Sequence, residues 1–471
     1  MPASLLQHRF TPVNDLHSAL NPTSVADVLR VRTVEDLRRA IARAAAAGQP
    51  VSICGARHAM GGQQFAGGSI LLDTAELARV AAFDADRGLV EVEAGIRWPA
   101  LHDWLERAQA GHPRAWTFRQ KQTGADGLSL GGCLSANVHG RGLDLPPFVS
   151  EVEAFTLVDA AGRLRRCSRT ENAPLFALAI GGYGLFGAIA TATLRLTPRR
   201  KLRRVVEVRD VDDLVRAFGE RIAAGFRYGD FQFAIDPGRG TFLRRGVFSC
   251  YEPVSDATPM PRDQRALSAA DWQRLVLLAH VDPSAAFEHY ARHYLATSGQ
   301  VYWSDTHQLS VYLDDYHREV DLALGHRGSE VITELYVPPA CLPDFMSDAA
   351  RDFRARGVRP IYGTVRLIRR DDETFLPWAR DDWACVVLNL HVRHDPRGIA
   401  EARDALRGLI DLAIARGGSY YLTYHRHATR AQVEACHPRF AEFLRLKRVH
   451  DPAERFQSDW YRHYRELFAT V

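Results

Sequence analysis

Two short stretches of the chain combine the residue types needed to hold a large anionic ligand beside a proton-handling group. The first is Cys54-Gly55-Ala56-Arg57-His58-Ala59-Met60-Gly61-Gly62-Gln63-Gln64, directly after the β-branched run "PVSI". Backbone amides in such a turn form a concave anion site suited to a pyrophosphate, and small side chains let the backbone come close to it. The second is Gly131-Gly132-Cys133-Leu134-Ser135-Ala136-Asn137, followed by His139. It reads as a second Gly-rich turn placed to grip the same diphosphate. Neither stretch fits the GxGxxG of nicotinamide-binding folds or the GxxxxGK[ST] of nucleotide triphosphatases. Histidines sit at the heart of both, His58 and His139, and an imidazole is suited to nucleophilic or general-base work near neutral pH. Cys133 reads as a small buried filler.

Other polar residues lie on strand-like segments. His391 in "VVLNLHV" alternates onto one face with Asn389 and Val387, an arrangement that would let it face a substrate. Arg366 lies in "TVRLIRRDD", with Thr364 two residues before it, and Tyr421, Tyr424, His425 and Arg426 close "YYLTYHR". The aromatic stretch after Phe287 contains His289, His293, His307 and His317. His289 and His293 would share a helix face, but Tyr290 stands where HExxH requires Glu, so no metal is expected.

The elements that must position these groups alternate. "TVEDLRRAIARAAAAG" reads as a helix with Thr33 as N-cap, Asp36 three residues on and Gly48 as stop signal. "PVSICG", "GSILLDT" and "GLVEVEAG" read as strands, so the first part of the chain is expected to form α/β layers. "SEVEAFTLVDAAGRLRR" reads as a hairpin. Beyond Arg200 come three strand–helix–strand units, interrupted by a mostly helical insert over about 264–324, and the tail reads as helices broken at Pro438 and Pro452. Residues 1–20 read as a loose lead-in.

The 471 residues carry 60 basic and 56 acidic side chains, a balance that excludes a general nucleic-acid binder. Seven scattered cysteines without CxxC spacing argue against both a disulfide framework and a zinc site. No apolar run approaches a membrane span, and the first residues lack a signal-peptide pattern, so a cytoplasmic location is expected.

Taken together, the motifs resemble the flavoprotein superfamily of vanillyl-alcohol oxidase and p-cresol methylhydroxylase. Gly55-Ala56-Arg57-His58-Ala59 resembles that family's G-x-G-H-S attachment turn, "GGCLSANVHG" its second flavin loop, and "AIGGYGLFGAIATATLRLTP" the segment closing its flavin domain. The ending "YYLTYH…HPRFAEFLRLKRVHDPAERFQSD" resembles the return of the chain to the flavin. The branch most similar is that of sugar and polyol oxidases. The resemblance implies an α+β fold: a two-subdomain α/β FAD-binding domain over 21–200, a substrate cap with an antiparallel sheet over 201–416, and a return over 417–471.

It further implies that FAD is held by Gly55, Ala56, Arg57, His58, Ala59, Met60, Gly124, Ser129, Gly131, Gly132, Ser135, Ala136, Asn137, His139, Ile189 and Tyr421, with His58 in covalent reach of the flavin 8α-methyl. Two departures from the pattern stand at this turn, Arg57 for glycine and Ala59 for serine. Ala125 stands where a second covalent link would need cysteine. His139, Tyr424, Arg366 and His391 are the expected catalytic group. His139 would position or deprotonate the substrate hydroxyl and Arg366 would meet it. Tyr424 replaces a lysine near flavin N1, and Thr364 replaces an acid. The implied reaction is oxidation of a CH–OH group of a small molecule, with oxygen or another acceptor taking the electrons. The alternatives are chemistry at a C–N, benzylic or C=C bond of a bulky aromatic substrate, and a flavin-binding partner without turnover. Oligomeric state is not readable from these residues.

Overall fold

A computed structural model describes residues 10–469 except 113, 312, 314 and 315. Part of the predicted lead-in lies outside that range. The part inside it is not loose: Thr11–Val13 pairs antiparallel with Thr23–Val25. The buried Asp15 carboxylate holds the connecting turn by accepting from the Ser18 amide and hydroxyl.

The first α/β layer is a parallel three-stranded sheet, Asp27–Arg30, Ile70–Asp73 and Val51–Cys54 in that order. The helix Val34–Ala46 packs on it through Leu37, Ile41 and Ala44, at i, i+4, i+7 spacing. Thr33 and Asp36 form the expected capping box, each side chain bonding the other's amide, and Gly48 adopts φ +67° just past the helix end. The second layer is a six-stranded antiparallel sheet centred on Ala188–Pro198, which pairs with Val152–Val158 and Leu89–Glu93. Its hairpin, Val152–Val158 with Leu164–Ser168, is the one the sequence predicts.

The predicted second Gly-rich turn is corrected: residues Leu130–Ala136 form a short helix. Leu130, Cys133 and Leu134 fall at helical spacing and are buried in the core, which leaves the glycines on the other side. Asn137 ends the helix in the left-handed region at φ 50°.

An eight-stranded antiparallel sheet makes the rest. The three strand–helix–strand units lie in it, with helices Val211–Ala223, Leu342–Arg356 and Pro396–Ile414. It contains two strands that the unit pattern does not suggest: Arg245–Pro253, between the strands of the first unit, and the edge strand Val301–Trp303. The insert carries helices Ala269–Val281, Pro283–Ala296 and His317–Leu324. After Ser419–Tyr420 joins the sheet edge, the chain turns back, and Phe456 bridges to Val51 of the parallel sheet. Among the described residues no helix is long and apolar enough to cross a membrane. All seven cysteines are free thiols.

Candidate active site

A cavity of about 450 Å³ lies between the two small sheets and the large one, a size and position usual for a ligand site. One wall is backbone and small side chains. The chain leaves the strand at Cys54 and turns through Gly55–Met60, all of which line the cavity. Arg57, in place of a glycine, does adopt the left-handed conformation, at φ 58°. Its guanidinium donates to Asp73 Oδ2 at 2.7 Å, an anchor that holds a non-glycine residue where L-residues are disfavoured. His58 lies against Gly127, where an added Cβ would come 2.9 Å from Nε2, so only glycine leaves the imidazole its place. Across from the turn, a Cβ on Gly131 would meet Ala94 Cβ at 2.8 Å. Of the residues expected to hold the cofactor, all line the cavity except Asn137 and His139.

Asn137 is buried and structural. Its Nδ2 donates to Asp371, its Oδ1 accepts from Val149 N, and its carbonyl accepts from Trp378 Nε1. Cys133 is fully buried, and burial pushes its thiol up to about 12, so the filler reading fits and a nucleophile does not.

The opposite wall is one face of three neighbouring strands of the large sheet. Side chains alternate, so Glu330, Ile332, Glu334 and Tyr336 share a face on Gly328–Val337. Tyr362, Thr364 and Arg366 do so on Pro360–Ile368, and Cys385, Val387, Asn389 and His391 on Trp383–Arg393. Ile332, Glu334, Tyr362, Arg366, Val387 and Asn389 line the cavity, with Tyr424 from the returning chain.

Glu334, which the sequence reading missed, is the hub. It is fully buried, and it accepts from Tyr424 Oη at 2.9 Å on Oε1 and from Tyr336 Oη at 2.9 Å on Oε2. His139 Nε2 lies 2.8 Å from Oε2. Burial by itself would raise this carboxyl. The charge and hydrogen bond of His139, the charge of Arg366 and the Tyr336 hydroxyl outweigh it, and the group is brought down to about 2. It is therefore a carboxylate at neutral pH. The available signal was an acidic residue inside the otherwise apolar run "VITELYV".

His139 does not line the cavity. Its Nδ1 faces the Gly140 carbonyl at 3.0 Å and its Nε2 faces Glu334. A carbonyl and a carboxylate can only accept, so both ring nitrogens donate. The reading of His139 as the group that positions or deprotonates the substrate hydroxyl is corrected: it stands behind Glu334 and positions that carboxylate instead. His391 is corrected too. The alternation with Asn389 is as predicted, but one strand step carries His391 past the cavity to Glu330, 3.0 Å from its Nδ1. Arg366 does reach the cavity, with Nε and one Nη buried and without a protein partner. Thr364 Oγ1 and Asn389 Oδ1 are also buried and unpartnered. His425 stacks on Tyr420 rather than lining the cavity.

The backbone-rich wall fits a polyphosphate, and the unpaired Gln63 Oε1, Gln122 Oε1 and Thr123 Oγ1 of cavity-lining residues fit the N–H and hydroxyl groups of a ligand that also carries a heteroaromatic ring. Comparison with known proteins agrees. Residues 25–168 match the family described as FAD binding domain. Residues 25–168 thus form an FAD-binding domain, in line with the resemblance read from the motifs.

Over 167 residues it is 34% identical to an uncharacterized oxidoreductase in the fasciation locus of Rhodococcoides fascians, covering 35% of this chain and 36% of that protein. With cytokinin dehydrogenase 4 of Oryza sativa subsp. japonica it shares 34% over 201 residues, 41% of this chain and 35% of that one. The chain thus spans about a third of the length of these two relatives. Similarity to decaprenylphosphoryl-beta-D-ribose oxidase of Mycolicibacterium smegmatis is lower, 23%, but runs over 460 residues, 93% of this chain and 94% of that one.

Proposed function

We propose that the protein is an FAD-dependent oxidoreductase that oxidises a CH–OH group of a small molecule held between Arg366 and Glu334. The observation that carries this reading is the cavity face itself: a buried guanidinium with unsatisfied donors beside a buried carboxylate. Unsatisfied buried donors call for an oxygen-bearing ligand. Bound FAD supplies the hydride acceptor.

The chain's residues do the rest. A carboxylate offers about four acceptor sites, and three on Glu334 are taken by Tyr424, Tyr336 and His139. The remaining site, on Oε1 beside Tyr424, accepts the substrate hydroxyl proton. A carboxylate held near 2 is a weak base in the resting state, so it orients the O–H first and takes the proton only as the carbon loses its hydride. Arg366 binds the oxygen. Tyr424 donates a hydrogen bond to Glu334 and provides no positive charge, whereas the sugar branch has a lysine at this place. His58, at the cavity wall, is the residue that would link covalently to the flavin.

The aromatic and aliphatic lining, with Trp272, Tyr362 and Ile332, favours a substrate with a bulky apolar part. That lining supports a second reading in which a C–N bond of a bulky aromatic substrate is oxidised. An anaerobic substrate panel watched by loss of flavin absorbance separates the two. Bleaching by alcohols or lactols supports the first reading, and bleaching by secondary amines alone overturns it. Acid precipitation of the wild type and of His58→Ala tests the link: colour kept in the wild-type pellet and released in the variant is expected, and colour released by both removes it.

A further inference from the structure

The helical insert carries histidines that the sequence does not bring together as a site. His289 and His293 do remain on one helix. His307 is buried between Tyr228 and Tyr251, with ring centroids 4.5 and 4.4 Å away. A different set converges on Glu330, at the far end of the same strand face that presents Glu334 to the cavity.

Glu330 is fully buried. His280 Nε2 from the helix Ala269–Val281 lies 2.9 Å from Oε1, and His391 Nδ1 from the neighbouring strand lies 3.0 Å from the same oxygen. His317 Nδ1 lies 3.1 Å from Oε2.

The outer hydrogen bonds set the ring tautomers. His280 Nδ1 faces the Val276 carbonyl at 2.8 Å and donates to it, so a neutral ring turns its Nε2 lone pair toward Glu330. His326 Nδ1 faces the Leu324 carbonyl at 3.2 Å and donates, so its Nε2 accepts from His391 Nε2 at 3.0 Å. That turns the His391 Nδ1 lone pair toward Glu330 as well. The His317 ring is held in turn by the backbone of His17. Tyr316 Oη donates to Glu330 Oε2.

Nitrogen lone pairs and a carboxylate oxygen pointing at one another repel unless a cation lies among them. At Glu334 one doubly protonated imidazole gives a neutral pair. Here His280 and His391 would both have to be doubly protonated, two positive charges against one negative in a buried place, which is costly. Imidazoles whose second nitrogen donates to a carbonyl or another imidazole are the usual outer arrangement of a metal centre. The His280, His391 and Glu330 ligand atoms all lie within 4.8 Å of one another. Donors around a tetrahedral ion at roughly 2.0–2.1 Å stand about 3.3 Å apart, close to the separations found here.

We propose that His280 Nε2, His391 Nδ1 and Glu330 Oε1 form a three-ligand binding site for one divalent transition ion of the zinc class. The nitrogen-rich set with one carboxylate selects such an ion over magnesium or calcium. The ion is structural. It ties the helix that brings Trp272 to the cavity onto two strands of the large sheet. It thereby fixes the cap over the substrate without taking part in the redox step.

The test is elemental analysis of the purified, flavin-loaded full chain, followed by titration of chelator-treated protein with Zn²⁺ and Co²⁺. About one equivalent of metal per chain is expected, with cobalt bands at longer wavelength than the flavin and a raised melting temperature on metal addition. His391→Ala should abolish the stoichiometric metal while the flavin spectrum persists. His326→Ala, which removes only the outer hydrogen bond, should weaken the affinity roughly 10- to 100-fold. If His391→Ala fails to fold, the wild-type titrations decide alone. No metal above background, no cobalt bands and no thermal shift in the wild type would overturn the site, whatever the flavin content.

Discussion

The two walls of the cavity are built in opposite ways. The flavin-side wall is largely backbone and small side chains: Gly55, Ala56 and Ala59 in the first turn and Gly131, Gly132, Ser135 and Ala136 in the short helix, with contacts at Gly55 and Gly131 that leave no room for a Cβ. The cap-side wall is side chain: Glu334, Arg366, Tyr362 and Asn389 come from three strands far apart in the sequence, and Tyr424 from the returning tail. A wall of backbone binds what the family shares, and a wall of side chains decides what this protein does with it. If that division is right, changes on the two walls separate cleanly. Cap-side substitutions should alter chemistry with the cofactor retained, and flavin-side substitutions should lose the cofactor with the cap intact.

The largest effect is expected from Glu334→Gln. The amide keeps the shape and can accept from Tyr424, but it cannot take a proton. Flavin reduction by substrate in a stopped-flow experiment should slow by roughly 10²- to 10⁴-fold, with the flavin spectrum and stoichiometry unchanged. A loss of flavin in this variant would break the comparison, since it would place Glu334 in cofactor binding. Next is Gly131→Val. The new side chain begins 2.8 Å from Ala94 Cβ and 3.1 Å from the Ala94 carbonyl oxygen, a backbone contact that cannot yield cheaply. Flavin content measured by absorbance should fall at least about tenfold. Overpacking should cost about 1–3 kcal/mol of stability.

This division also explains what was legible in the sequence. The Gly55–Met60 turn lies directly after a strand, and Gly131–Ala136 is likewise continuous in the chain, so their residue types announce an anion-binding wall. The helical form of the second was hidden because glycine content outweighed the i, i+3, i+4 spacing of Leu130, Cys133 and Leu134. On the cap side, alternation correctly put His391 on the face of Asn389. Nothing local says where along a long strand the cavity ends, and His391 lies one step beyond it. Glu334 was visible only as an acid in an apolar run, and its significance depends on His139, 195 positions away in the chain. Pairings across such distances are set by sheet register, which one strand's sequence does not contain.

A smaller effect concerns the turn that closes the cap-side wall. Tyr420 is flanked by the rings of His425 and His437, centroids 5.9 and 5.3 Å away. Burial holds both imidazoles at about 3, against an ordinary value near 6.5. The folded state therefore keeps them neutral where the unfolded chain binds protons. Their contribution is fully present above pH 6.5 and is lost as pH falls from there toward 3. Between pH 7.5 and 5.5 the pair should remove about 2–3 kcal/mol of stability, read from urea midpoints at the two values. His437→Gln should roughly halve that difference. An unchanged midpoint would mean that the turn is already open to water.

The smallest effect tests the flavin-side wall where its sequence departs from the family pattern. Arg57 holds φ 58° with its guanidinium on Asp73. Arg57→Gly relieves about 1–2 kcal/mol of left-handed strain but adds about 0.5–1 kcal/mol of unfolded-state entropy and loses a partly buried ion pair worth about 1 kcal/mol. These terms nearly cancel, so the melting temperature should move by only a degree or two, with flavin content unchanged. Asp73→Ala leaves the strain and removes the anchor, and it should destabilise the protein more than Arg57→Gly does. If Arg57→Gly instead lost the flavin, the guanidinium would be a cofactor contact, and this wall would not be backbone and small side chains alone.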